Sequence, residues 1–235
     1  MRIIIQARQN STRLPGKIMA ALNERPLLWH VVRRLERADP AWQVVVATTD
    51  LPADDATVEW CRHNGVGCVR GAAEDVLDRY LTACRDLRDD EIVLRATADN
   101  QVYCPRRASA IVAEHLRARA DYTCIADLSY VVPEVLRVGA LRAMAALAHH
   151  PACREHVTPF LRKATHDFRV LQLPYTWCGL RRDVRLTIDT PDDLQRMQTL
   201  FAACRSRDPV FPLEQAYLTY DAQGLASPYH ARRAA

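Results

Sequence analysis

Arg8, Ser11, Thr12, Arg13 and Lys17 crowd around a Pro15-Gly16 turn in the stretch MRIIIQARQNSTRLPGK at the start of the chain. Guanidinium, hydroxyl and ammonium groups gathered beside turn N–H groups have the chemistry of a polyphosphate cradle. Gly16 lets the backbone approach a ligand closely, Pro15 stiffens the turn, and Lys17 adds a compact positive charge. A plain solvated turn accounts for the serine, proline and glycine, but not for two arginines and a lysine as well. The loop is not of the Walker A kind, because no G-x-x-x-x-G-K-[ST] occurs in the chain.

Acids that could complement such a cradle lie far along the chain. Asp99 follows the apolar run EIVLRA directly. The carboxyl ends of buried strands form the ligand crevice of open α/β sheets, and a hard carboxylate oxygen suits Mg²⁺ bound to phosphate. The competing role for Asp99 is to cap the next helix. In VRLTIDTPDD, Thr190 reads as a helix N-cap, Pro191 as the first helical residue, and Asp192 and Asp193 as first-turn acids. Asp189 is not needed for that job. Arg154, Glu155 and His156 set a fixed cation, a carboxylate and an imidazole side by side. They could bind an anionic acceptor and orient its attacking oxygen, or open a helix with Arg154 and Glu155 paired at a subunit contact. Asp78 and Arg79 read equally as a charged helix face and as nucleotide contacts.

Elements to position these groups are legible in the periodicity. Ile3-Ile4-Ile5 predicts a first buried strand, and further strands are expected over 42–49, 67–70, 91–96, 121–126, 168–173 and 184–188. Helical spacing falls between them, over 27–38, 54–64, 105–119 and 139–149, with another helix entered within 70–80. His30 sits among apolar neighbours and reads as a structural histidine. Residues 127–138 carry no readable pattern. The alternation predicts a three-layer α/β/α fold with a mostly parallel sheet. One domain over 1–205 is expected, with roughly 127–180 as an acceptor or dimerisation insert and 206–235 as a C-terminal extension.

Composition narrows the class. A hydrophobic fraction of 49% and a charged fraction of 26% over 235 residues suit a soluble domain with a substantial core. The net charge of +4, without a long basic run, fits an anionic small molecule and calls for no nucleic acid. No apolar segment approaches a membrane span, and no signal peptide is recognisable. The eight cysteines form no C-x-x-C pair, which argues against structural zinc and predicts reduced thiols in a cytoplasmic protein.

The pattern Ala7-Arg8-x-x-Ser11-x-Arg13-Leu14-Pro15-Gly16-Lys17 resembles the amino-terminal signature of cytidylyltransferases of the CMP-Kdo synthetase type, and more closely that of their SpsF-like relatives. The blocks Arg70-Gly71 with Asp75 to Tyr80, Arg95-x-Thr97-x-Asp99-Asn100 and Arg154-Glu155-His156-Val157-Thr158-Pro159 resemble the same family, in the same order. Two positions depart from it: Ala98 stands where a glycine is usual and Gln101 where a proline is usual. The resemblance implies the nucleotide-diphospho-sugar transferase fold, a GT-A-like Rossmann architecture. It implies nucleotide contacts from Ala7, Arg8, Ser11, Thr12, Arg13, Gly16, Lys17, Asp78, Arg79 and Thr97, with Arg13 and Lys17 catalytic. It further implies Asp99 and Asp189 as ligands of Mg²⁺ (Mn²⁺ as the alternative), acceptor contacts from Glu134, Arg154, Glu155 and His156, and a homodimer.

The expected activity is transfer of CMP from CTP to an acidic sugar, sugar phosphate or phosphonate, with pyrophosphate released. A GT-A glycosyltransferase using a nucleotide-sugar donor is the first alternative, but Asp99-Asn100-Gln101 lacks the Asp-x-Asp pair expected of one. A non-catalytic nucleotide-binding protein is the second.

Overall fold

Ile3, Ile4 and Ile5 are wholly buried because their strand lies in the interior of a seven-stranded sheet, with helices on both faces. The computed structural model describes residues 1–126, 131–147, 150–163, 166–204 and 210–225. In chain order the first half comprises β1 (Arg2–Gln6), a small hairpin of β2 (Ala21–Leu22) and β3 (Arg25–Pro26), α1 (Leu27–Glu36), β4 (Gln43–Thr49), α2 (Asp55–Asn64), β5 (Gly67–Gly71) and α3 (Val76–Ala83). Then come β6 (Ile92–Thr97), α4 (Pro105–Ala118), β7 (Tyr122–Ile125), β8 (Glu134–Arg137), α5 (Val138–Leu147), α6 (Pro151–His156), α7 (Thr158–Lys163), β9 (Val170–Leu173), α8 (Pro191–Ala203) and α9 (Leu213–Ala222).

The sheet order is β5-β4-β1-β6-β8-β7-β9, and β8 alone runs antiparallel to its neighbours. One face packs on α1, α4, α8 and α9 through residues such as Val31, Ile111, Leu200 and Ala216. The other packs on α3, α5 and α7 through Leu77, Leu141 and Leu161. This is the expected three-layer arrangement. Register places Gln6, the last residue of β1, beside Thr97, the last of β6, so both strands deliver their ends to one edge of the sheet.

Two expectations need correction. Residues 184–188 do not form a strand. They run past the turn after β6 and join it through a single bridge between Asn100 and Thr187, because β6 itself is already paired on both sides, with β1 and β8. Within the described part of the stretch 127–180, β8 and β9 belong to the same sheet as β1. The C-terminal segment is not a surface extension as far as residue 225. Phe211, Leu213, Ala216 and Tyr220 of the α9 region are buried in the core shared with α1 and α8.

Candidate active site

The loop after β1 is shaped by Gln9. Its carbonyl accepts from the N–H groups of Ser11 (2.8 Å) and Gly16 (3.0 Å), which draws the two ends of the loop together. Gly16 closes the turn at φ +70°, a left-handed conformation that favours glycine. Gln9 is in turn fixed from outside the loop. Its N–H donates to Asp54 Oδ1 (2.8 Å) and its side-chain amide to Thr57 Oγ1 (3.2 Å). Asp54 is buried and also accepts from the Thr49 N–H and hydroxyl, so the end of β4 and the start of α2 brace the loop.

The bridge between Asn100 and Thr187, with the Ile188 N–H donating to the Asp99 carbonyl (3.0 Å), brings the two distant aspartates to one place. Lys17 Nζ lies between them, 3.3 Å from Asp189 Oδ1 and 3.7 Å from Asp99 Oδ2, and donates to the Ile188 carbonyl (3.0 Å). Asp189 also accepts from Arg13 Nη2 (2.9 Å) and from Arg185 Nη2 (2.5 Å). Behind it the α8 cap is a complete capping box: Thr190 Oγ1 accepts from the Asp193 N–H, and Asp193 Oδ2 accepts from the N–H groups of Asp189 and Thr190. Burial pushes Asp193 up, but the Asp189 N–H and Arg196 outweigh it and hold Asp193 below its ordinary value. Asp99 Oδ1 is buried without a hydrogen-bond partner.

These groups open on a cleft of about 370 Å³. The expected residues Ala7, Arg8, Ser11, Thr12, Arg13, Lys17, Thr97, Asp99, His156 and Asp189 line it, together with Ala98, noted above as departing from the family pattern, and with Gln6, Asn10 and Ile18, which the sequence did not single out. His156 is carried to the cleft by the sharp join of α6 to α7, where Val157 adopts φ +60°. Among the described residues no group of three or more His, Cys, Asp or Glu is placed to hold a metal ion by itself. A cation here would therefore rest on the two aspartates and on oxygens from its ligand. That donor set suits Mg²⁺, and the orphaned Asp99 oxygen is consistent with it.

Gly16 shapes the loop without lining the cleft, and five further expected contacts lie elsewhere. Arg79 is fully buried and donates to the carbonyls of Ala72 and Ala73 (the latter at 3.0 Å), so it clamps the bend after β5. Burial lowers its pKa, and the nearby Arg8 adds to this. Asp78 is exposed on α3 and does not line the cleft. Glu134 is buried, with Arg95 on one carboxylate oxygen (2.6 Å) and Tyr122 and Arg162 (2.6 Å) on the other. Burial pushes Glu134 up, and Arg95 and Arg162 pull it below its usual range. Arg154 pairs with Asp75 (2.6 Å), the N-cap of α3, and Glu155 lies 3.8 Å from Arg8. The side chains of Arg79, Glu134, Arg154 and Glu155 are each turned to a partner within the fold, while that of Asp78 faces solvent.

A basic loop facing two aspartates across the carboxyl edge of a largely parallel sheet is the layout of a nucleotidyltransferase. Residues 2–224 match the family model described as Cytidylyltransferase, and the chain belongs to that family. It is 31% identical over 214 residues to the spore coat polysaccharide biosynthesis protein SpsF of Bacillus subtilis, covering 88% of each chain. It is 29% identical over 247 residues to a 3-deoxy-manno-octulosonate cytidylyltransferase of Anaeromyxobacter dehalogenans, covering 86% of this chain and 97% of that one. Among solved structures, a cytidylyltransferase of Leptospira borgpetersenii superposes with a TM-score of 0.85 at 27% identity, over 96% of both chains.

Proposed function

We propose that the protein transfers CMP from CTP to an oxygen of an anionic acceptor, an acidic sugar, a sugar phosphate or a phosphonate, and releases pyrophosphate. The observation that carries this reading is the position of Lys17, on the phosphate loop and between Asp99 and Asp189. A triphosphate lying along the loop would meet donors from Arg8, Arg13, Lys17 and the turn N–H groups. Asp99 and Asp189 would hold Mg²⁺ or Mn²⁺, which when bound neutralises phosphate charge and orients the leaving group. Lys17 and Arg13 would balance the charge that builds on the α-phosphorus and on pyrophosphate as the acceptor oxygen attacks. Little covalent chemistry is left to the protein, so most of the acceleration comes from positioning and charge.

Pyrophosphate release tests this directly, each nucleoside triphosphate being crossed with acidic sugars, sugar phosphates and phosphonates, with and without a chelator. The reading requires release that depends on CTP, on an anionic acceptor and on the divalent ion. A nucleotide-sugar donor consumed without pyrophosphate would replace it with glycosyl transfer.

A further inference from the structure

Gln6 is the residue at which the cleft meets a partly buried ionic network. On the sheet face covered by α3, α5 and α7, Arg95, Glu134, Tyr122 and Arg162 form one cluster across β6, β8, β7 and α7. Two guanidinium groups face a single carboxylate there, so the cluster retains one surplus positive charge in low-dielectric surroundings. Of the cluster and its neighbour Gln6, it is Gln6 that lines the cleft.

The contact between them has a fixed sense. Arg95 Nη2 lies 3.4 Å from Gln6 Oε1, and a guanidinium can only donate. The amide oxygen is thus held toward Arg95, and the amide nitrogen has no protein partner among the described residues. A polarised N–H₂ group is left available to whatever occupies this part of the cleft.

The phosphate loop and the two aspartates account for the triphosphate, and cytosine and ribose carry no charge for a surplus cation to meet. An anionic group on the acceptor does. We propose that Gln6 is a specificity-determining residue that donates to the carboxylate or phosphate of the acceptor, with Arg95, Glu134 and Arg162 as the positioning residues behind it. This deepens the cytidylyl-transfer reading and rests on it.

The test is the steady-state rate of pyrophosphate release at varied acceptor and varied CTP, for the wild-type chain, Gln6→Leu and Gln6→Glu, with acidic sugars and sugar phosphates as separate arms. Gln6→Glu still offers Arg95 an oxygen, so its fold is retained while its charge opposes an anion. It should raise the acceptor KM by roughly 10- to 100-fold, as expected for a hydrogen bond to a charged group, with the CTP KM moved less than about twofold. Gln6→Leu should raise it less, since it removes the donor without adding a like charge. The arm in which the effect appears identifies the anion. An unchanged acceptor KM in both variants, or a CTP KM raised as much, overturns the role of Gln6. No release from the wild-type chain with any acceptor overturns the transfer reading itself, and the role of Gln6 with it.

Discussion

The Lys17 ammonium lies 3.3 Å from Asp189 Oδ1, although 172 positions separate the two residues in the chain. The same ammonium reaches Asp99, so one side chain of the loop after β1 reports on both carboxylates. Lys17→Ala should leave the fold intact and lower turnover with CTP by about two to three orders of magnitude, the equivalent of about 3–4 kcal/mol in the transition state. Turnover by Lys17→Ala at the wild-type rate would remove the loop from the mechanism.

The two aspartates should separate by behaviour. Asp99→Asn removes a carboxylate that holds one oxygen unpartnered, and should raise the half-saturating Mg²⁺ concentration by at least about tenfold with little change in melting temperature. Asp189→Asn also removes the anion shared by Arg13, Lys17 and Arg185, and should both raise the half-saturating Mg²⁺ concentration and lower thermal stability. Equal melting temperatures for the two variants would contradict this division.

Asp54→Ala tests the brace under the loop. It leaves the buried Gln9 N–H without its acceptor, a loss of about 1–3 kcal/mol, and frees the residue that ties Ser11 to Gly16. CTP affinity measured by calorimetry should fall, and Thr57→Val should reproduce the effect more weakly. Undiminished affinity in both variants would show that the loop holds its shape unaided.

Glu134→Ala strands two half-buried arginines and should cost about 2–4 kcal/mol in urea denaturation, less than the loss expected for a fully buried pair. Glu134→Gln should cost less, because an amide oxygen can still face one guanidinium. A pair of variants as stable as the wild type would mean that the network contributes nothing to the fold.

His30 and His115 are buried, and burial lowers each to about 4 from an ordinary 6.5. Leu22, Arg34, Arg25 and Phe201 face the first; Thr123, Arg137 and Asp121 face the second. Both bind a proton more readily unfolded than folded. The stability they allow is therefore complete above pH 6.5 and drains away as pH falls toward 4. Melting temperature followed across that window should decline steadily. Replacing His115 by Gln should flatten part of the decline, and a variant with the wild-type slope would rule His115 out.

Much of this was legible in the sequence where a single local pattern decides the structure. The Ile3–Ile5 run, the turn at Gly16 and the cap at Thr190 each follow from a few adjacent residues, and the structure has them as read. Arg79 and Glu134 were misplaced because their partners, the carbonyls of Ala72 and Ala73 in one case and Arg95 and Arg162 in the other, are set by tertiary packing. Residues 184–188 have the composition of a strand, but strand pairing requires an edge, and composition does not reveal one. Gln6 carries a weak signal of its place, a polar residue closing an apolar strand at the carboxyl edge of a sheet.

The bridge from Asn100 to Thr187 sets an order of events during synthesis. Domains emerge from the ribosome amino terminus first, so the phosphate loop and Asp99 exist before Asp189 has been made. A nascent or truncated chain that stops short of that bridge carries a nucleotide cradle with half its acids. Competence arrives only when nearly the whole polypeptide has been threaded into place.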